Sequence, residues 1–368
     1  MKEMDMHRPL RTDHVSDASM HSSTPARAMS RRSFLAKSAA VAALGGLGSA
    51  AGLLDASPSE ASTPFLGTVA LQLGWVKNVS YAGSYIAASN GYYRKHGVDV
   101  NILSGGPTVA GIPVLVSNKA IIAISDPTTT SQAYAQGADI AIVAAGYQIN
   151  PACIMSLAKT PIKTPKDLIG KKIGIASSDQ AEWQAFLKIN NISPSSVDTL
   201  PAGFDPSPVA SGEWDGYLAF ANNEPPQFEA EGLKTELLLF QDYGMPSVSD
   251  VYVVTGETLK NKAARAKAAA FLAGEIQGWT KAVADPVLGT KLTIDKYGKG
   301  LGLTYKGELL SAEATNAISV SPATKEHGLL YLSPAAIVDT ARTLAKTGVH
   351  APRALFDTSL LEEAYALI

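Results

Sequence analysis

Five short stretches gather the side chains that could contact a small molecule. Gly74-Trp75-Val76-Lys77-Asn78-Val79-Ser80-Tyr81 offers an indole, an amide and a phenol close together. Trp75 and Tyr81 can stack on a flat ligand while Asn78 reads its polar edge; the same indole can instead plug an interface between domains. Ser104-Gly105-Gly106-Pro107-Thr108 lets the backbone at Gly106 approach a ligand, and equally specifies a tight turn. Ser125-Asp126-Pro127-Thr128 either caps the next helix or sets a hydroxyl and a carboxylate against a ligand amine. Ser177-Ser178-Asp179-Gln180-Ala181-Glu182-Trp183 repeats that pattern: Ser178 or Asp179 is the natural cap, Asp179 and Glu182 can face a ligand, and Trp183 suits a core. Phe220-Ala221-Asn222-Asn223-Glu224-Pro225-Pro226 is the most pointed. Asn223 and Glu224 together read a donor–acceptor edge such as an aminopyrimidine or a ureide, unless the stretch is only an Asn- and Pro-filled turn.

These stretches lack the partners that catalysis would need. There is no Walker loop, no Gly-x-Ser-x-Gly elbow and no His-Glu-x-x-His. Cys153 is the single cysteine, which excludes an intramolecular disulfide, a cysteine-rich zinc site and a multi-cysteine iron–sulfur site. The histidines past the leader are His96, His327 and His350, too few for a multi-histidine metal centre. No catalytic residue, metal or cofactor is expected, and the reading is a binding protein rather than an enzyme. The net charge of −2 comes without a dense basic stretch in the folded part, which argues against nucleic acid as a partner.

The elements that position these stretches alternate. Of 368 residues, 46% are hydrophobic and 17% charged, enough for two domains or one bilobal unit. Residues 1–61 form a polar leader ending in an export signal. Ser30-Arg31-Arg32-Ser33-Phe34-Leu35-Ala36-Lys37 precedes a modest Ala- and Gly-rich apolar run, which is too short and glycine-rich for a span. The paired arginines resemble a twin-arginine signal, and Ser59-Glu60-Ala61 suits cleavage before Ser62. The remaining chain holds 24 Lys and Arg against 27 Asp and Glu. A soluble monomer in the periplasm or cell-envelope space is expected.

From Thr68 onward, strands are expected at 68–74, 98–103, 120–125 and 140–145, with helical segments at 83–93, 109–117 and 128–135. The rhythm restarts after Pro161 with strands at 172–176, 197–200, 216–220 and 236–240, and a strand at 251–255 precedes a mostly helical tail. Apolar strands separated by helices predict parallel sheets covered on both faces. The expected architecture is α/β with two lobes, residues 62–157 and 249–368 against 158–248, joined by two crossings. Ligands should then sit beyond the carboxyl ends of the strands, in the cleft between lobes.

Leu71-Gln-Leu-Gly-Trp75, Tyr81-Ala-Gly-Ser-Tyr85, Asn90-Gly-Tyr-Tyr93, His96-Gly-Val-Asp-Val100, Gly105-Gly-Pro107, the segment Pro161 to Ile175 and Asn223-Glu224-Pro225 carry a family resemblance. In this order they resemble the thiamine-precursor-type periplasmic substrate-binding proteins of ABC importers, over about Thr68 to Thr255. The resemblance implies a type II flytrap fold that closes on its ligand and delivers it to a membrane permease. It also implies that Trp75 stacks, Asn78 and Tyr81 line the first wall, and Glu224 bonds the ligand edge from the second. A thiamine pyrimidine precursor is the first expected ligand and a riboflavin-like ring the next. Sulfonate, taurine or nitrate follows, disfavoured because Lys77 is the one cation in these loops. An enzyme of the related pyrimidine-synthase type and a sensor module are the competing roles.

Overall fold

The structure, a computed structural model, describes residues 63–109, 111–348 and 353–368. The expected leader, its paired arginines and the cleavage position lie outside the described residues, as does His350.

Strands β1 (Gly67–Gln72), β2 (Val98–Leu103), β3 (Ile122–Ser125) and β4 (Ile140–Tyr147) open the first sheet. Strands β5 (Ala152–Leu157), β6 (Lys172–Ala176), β7 (Asp198–Ala202), β8 (Gly216–Phe220) and β9 (Thr235–Leu239) build the second, and β10 (Ser249–Thr255) returns to the first. The orders are β2-β1-β3-β10-β4 and β7-β6-β8-β5-β9. The two sheets share one plan, in which a strand from the other side of a crossing fills the fourth place.

The expectation of purely parallel sheets is corrected. β10 runs antiparallel to β3 and β4, and β5 runs antiparallel to β8 and β9. A chain that crosses between lobes and pairs at once enters its new sheet from the opposite end, which fixes that direction. The expected boundary at 157/158 moves for the same reason: Ala152–Leu157 pairs with β8 and β9, so the first crossing runs between Tyr147 and Ala152. The second runs between Tyr243 and Ser249.

Each sheet packs beneath its own helices. In the first lobe the helix Ala82–Ser89 lies on the long helix Lys262–Ala284. Their approach requires glycine: a Cβ at Gly278 would sit 2.1 Å from the Gly83 carbonyl oxygen. The long helix buries Ala269, Leu272, Ile276 and Trp279 against the rest of the lobe. In the second lobe Trp183, Phe186 and Phe240 are buried, with the last two rings stacked at 3.9 Å, so Trp183 serves the core. No helix among the described residues is long and apolar enough to cross a membrane.

Candidate functional site

A cavity of about 520 Å³ opens between the two sheets, within the size range of small-molecule sites. The first lobe contributes Trp75, Ser80, Tyr81, Ser125, Asp126, Tyr147 and Asp250; the second contributes residues 177–182, Phe220, Asn223 and Glu224.

Local chemistry places each wall. Beyond β1, Asn78 caps a short helical turn, its Oδ1 accepting from the Ser80 amide at 3.1 Å, and this turn carries Ser80 and Tyr81. Trp75 lines the cavity and also packs on the first-lobe core. Beyond β3, Asp126 caps the helix Pro127–Ala135, with Oδ1 accepting from the Thr129 amide at 2.7 Å. Asp126 also lines the cavity, so capping and facing a ligand are compatible. Beyond β8, Glu224 begins the helix Glu224–Ala230. Its Oε2 accepts from the Phe220 amide at 2.9 Å and its Oε1 from Asn223 Nδ2 at 2.6 Å.

Of the residues singled out from sequence, Trp75, Tyr81, Ser125, Asp126, Asp179, Asn223 and Glu224 line the cavity. Asn78 and Gly106 do not. Asn78 is buried behind the wall and donates through Nδ2 to Asn223 Oδ1 at 2.7 Å, a bond between lobes. The Gly105-Gly106 pair serves a tight turn pressed on β1: a Cβ at Gly105 would lie 2.4 Å from the Leu73 carbonyl oxygen, and Gly106 bridges to Val109. Sequence reasoning missed Tyr147 and Asp250. Asp250 stands in the left-handed region, φ 44°, at the start of β10. A lone acid opening a Val-rich strand was the available signal.

Five carboxylates surround the cavity: Asp126, Asp179, Glu182, Glu224 and Asp250. Among the described residues no lysine, arginine or histidine joins them. Removal from water, reinforced by the carboxylates' mutual repulsion, raises their proton affinities. Asp179, Glu224 and Asp250 are pushed up to about 7, and Asp126 and Glu182 are also raised. Several carboxylate oxygens therefore face the space with few protein donors, an arrangement that complements a ligand rich in N–H groups or carrying positive charge. Trp75, Tyr81 and Phe220 add aromatic surface beside them.

The lobes meet across the cavity. Ser177 Oγ and the Ser178 amide both donate to the Pro107 carbonyl, at 2.8 and 3.0 Å, and Asn150 Nδ2 donates to Glu182 Oε1 at 2.9 Å. These bonds close the rim.

A family model described as "NMT1/THI5 like" matches residues 78–288. The riboflavin-binding protein RibY of Chloroflexus aurantiacus is 26% identical over 200 residues, which cover 51% of this chain and 55% of that protein. The formylaminopyrimidine-binding protein of Halalkalibacterium halodurans is 24% identical over 227 residues, covering 60% and 68%. The chain thus spans only about half to two thirds of these relatives. Among solved structures, the ligand-binding component of an ABC-type import system from Staphylococcus aureus superposes with a TM-score of 0.57 at 15% identity, covering 81% of this chain and 99% of that one. A Candida albicans protein with the generic periplasmic-binding-protein fold gives 0.56 at 16%, covering 81% and 95%. These likenesses show the fold, and the expected two-lobed periplasmic-binding architecture stands.

Proposed function

The chain belongs to the NMT1/THI5-like family, and from that premise we propose that it is the substrate-binding component of an ABC importer that captures a small nitrogen heterocycle. The observation that carries this reading is a cleft lined by five carboxylates and four aromatic rings, with no basic side chain among the described residues. An aminopyrimidine satisfies it directly: its ring stacks on Trp75, while its amino group donates to a carboxylate among Glu224, Asp179 and Asp250 and a ring nitrogen accepts from one of these acids in its protonated form. A sulfonate or nitrate would lie among carboxylates with no counter-charge, which burial makes unfavourable. A riboflavin-type ligand is the second reading, supported by a cavity roomy enough for fused rings and by the relative named for that vitamin.

Capture works by closure. Ligand bonded to both walls favours the state in which the rim contacts around Pro107 are made, and a membrane permease would recognise that state. Export through the twin-arginine-like leader would place the protein where such a permease waits. Binding is favoured over turnover because Cys153, the one thiol, is fully buried and burial pushes its pKa well above the usual range.

The test is calorimetry and thermal shift of the chain from Ser62 with a 4-aminopyrimidine, riboflavin, an alkanesulfonate and nitrate. Stoichiometric binding of a heterocycle, weakened by Trp75→Ala and by Glu224→Gln, is expected. Binding of the anions alone would overturn the assignment, and product formation from the heterocycle would replace it with an enzyme.

A further inference from the structure

The helix Tyr305–Ser319 follows the return to the first lobe, yet one of its faces is turned to the second. Glu308, Ser311 and Thr315 lie three and four residues apart, on that one face, and all are buried at 1% exposure or less. Buried helix faces are ordinarily apolar, and a polar one is stable only where its groups are matched. Here the partners come from both sides of the cleft. Glu308 Oε2 accepts from the Val79 amide of the first lobe at 2.7 Å, and its Oε1 accepts from Gln227 Nε2 of the second at 2.9 Å. Gln227 Nε2 also donates to Ser311 Oγ at 3.2 Å, and that hydroxyl donates to the Asn223 carbonyl at 3.2 Å. Thr315 Oγ1 accepts from Asn222 Nδ2 at 2.9 Å. The Asn78–Asn223 bond closes the ring beside the cavity.

We propose that Glu308 is a positioning residue for ligand capture, holding the Val79–Tyr81 turn of one lobe in register with the Asn222–Glu224 turn of the other. The proposal rests on the reading of the cleft as the ligand site, because those two turns carry Ser80 and Tyr81 on one wall and Asn223 and Glu224 on the other. A polar stripe suits a pivot. An apolar face would weld the lobes together, whereas hydrogen bonds exchange for water at small net cost as the lobes part. The closed state also leaves Asn222 Oδ1 buried without a partner, which keeps closure from being favoured in the absence of ligand. Close approach is built in, since a Cβ at Gly307 would lie 1.8 Å from Gln227 Oε1.

A charge swap tests this. Glu308→Gln sets two amides face to face, Gln227→Glu sets two carboxylates face to face, and the double variant restores a donor–acceptor pair of reversed polarity. Three quantities are read in the chain from Ser62: Val79 amide exchange, lobe separation of the unliganded protein by small-angle scattering, and the Kd for a 4-aminopyrimidine and for riboflavin. Each single change should speed Val79 exchange at least tenfold, open the unliganded protein and weaken the bound probe at least tenfold, and the double should recover most of each loss. Single variants that leave exchange and lobe separation unchanged, or a double variant no better than the singles, would overturn the proposal. If the unliganded readouts follow expectation while neither probe binds, the register role stands and the ligand assignment falls.

Discussion

The first-lobe core and the cleft both bury carboxylates, and they treat them differently. Glu275, on the helix Lys262–Ala284, has no exposed surface. It accepts from Ser84 Oγ at 2.6 Å, from the Tyr252 hydroxyl at 2.7 Å, from Trp279 Nε1 at 3.2 Å and from the Tyr93 hydroxyl. In the cleft, Asp179 receives one side-chain donor, Ser178 Oγ at 3.0 Å, and Glu182 receives one, Asn150 Nδ2 at 2.9 Å. Burial raises the proton affinity in both places, so that shift alone does not mark a site. Supply of donors does. A core meets its acid with its own groups, and a cleft leaves lone pairs for something that arrives.

The largest expected effect breaks the core side of this contrast. Glu275→Ala strips the acceptor from the buried Ser84, Tyr93 and Tyr252 hydroxyls, each costing about 1–3 kcal/mol when unmatched, while Trp279 Nε1 keeps the Tyr252 oxygen, so denaturant unfolding should show a loss of about 3 kcal/mol or more. A loss below 1 kcal/mol would mean the network is not structural. On the cleft side, Trp75→Ala and Glu224→Gln should each weaken heterocycle binding by about tenfold or more, worth about 1.4 kcal/mol, with a smaller loss of unliganded stability than Glu275→Ala causes. Equal losses of stability and affinity would erase the contrast.

The third effect is smaller and depends on pH. Asp179, Glu224 and Asp250 titrate near 7 when folded, against ordinary values of 3.8 to 4.5. The folded state therefore binds more protons than the unfolded chain between those values, and unliganded stability falls as pH rises through about 7. Affinity for a cationic or donor-rich ligand should rise over the same range, and Asp250→Asn should flatten both slopes. A melting temperature that stays level from pH 5 to 8 would contradict the raised values. Smallest of all, Arg342→Ala removes the exposed pair with Asp339, 66% and 55% accessible, and should change stability by no more than about 0.5 kcal/mol.

Much of this was legible in the sequence where local pattern decides. The strands at 98–103, 172–176 and 216–220 fall where alternation and apolar runs put them. Ala152–Leu157 was missed as a strand of the second lobe because an apolar run carries no mark of which sheet it joins. The same blindness hid Asp250. A search at the carboxyl ends of parallel strands finds Trp75, Asp126 and Asp179, but β10 runs antiparallel, so its beginning lies at that edge of the sheet. Asn78 and Gly106 show the opposite limit: packing turned the Asn78 side chain behind the wall toward Asn223, and the backbone at Gly106 went to a turn bridged to Val109.

The placement of β10 also orders events as the chain leaves the ribosome. All five strands of the second sheet are contiguous and complete by Leu239, so that lobe can fold on emergence. The first sheet cannot. Until Ser249–Thr255 has been synthesised, β4 has no neighbour to join it to β3, and the earliest residues made must wait for late ones before their sheet is whole. The half of the cleft that begins the protein is thus the half that is finished last, and a chain stopped near Gly244 would carry a folded insert on an unsealed frame.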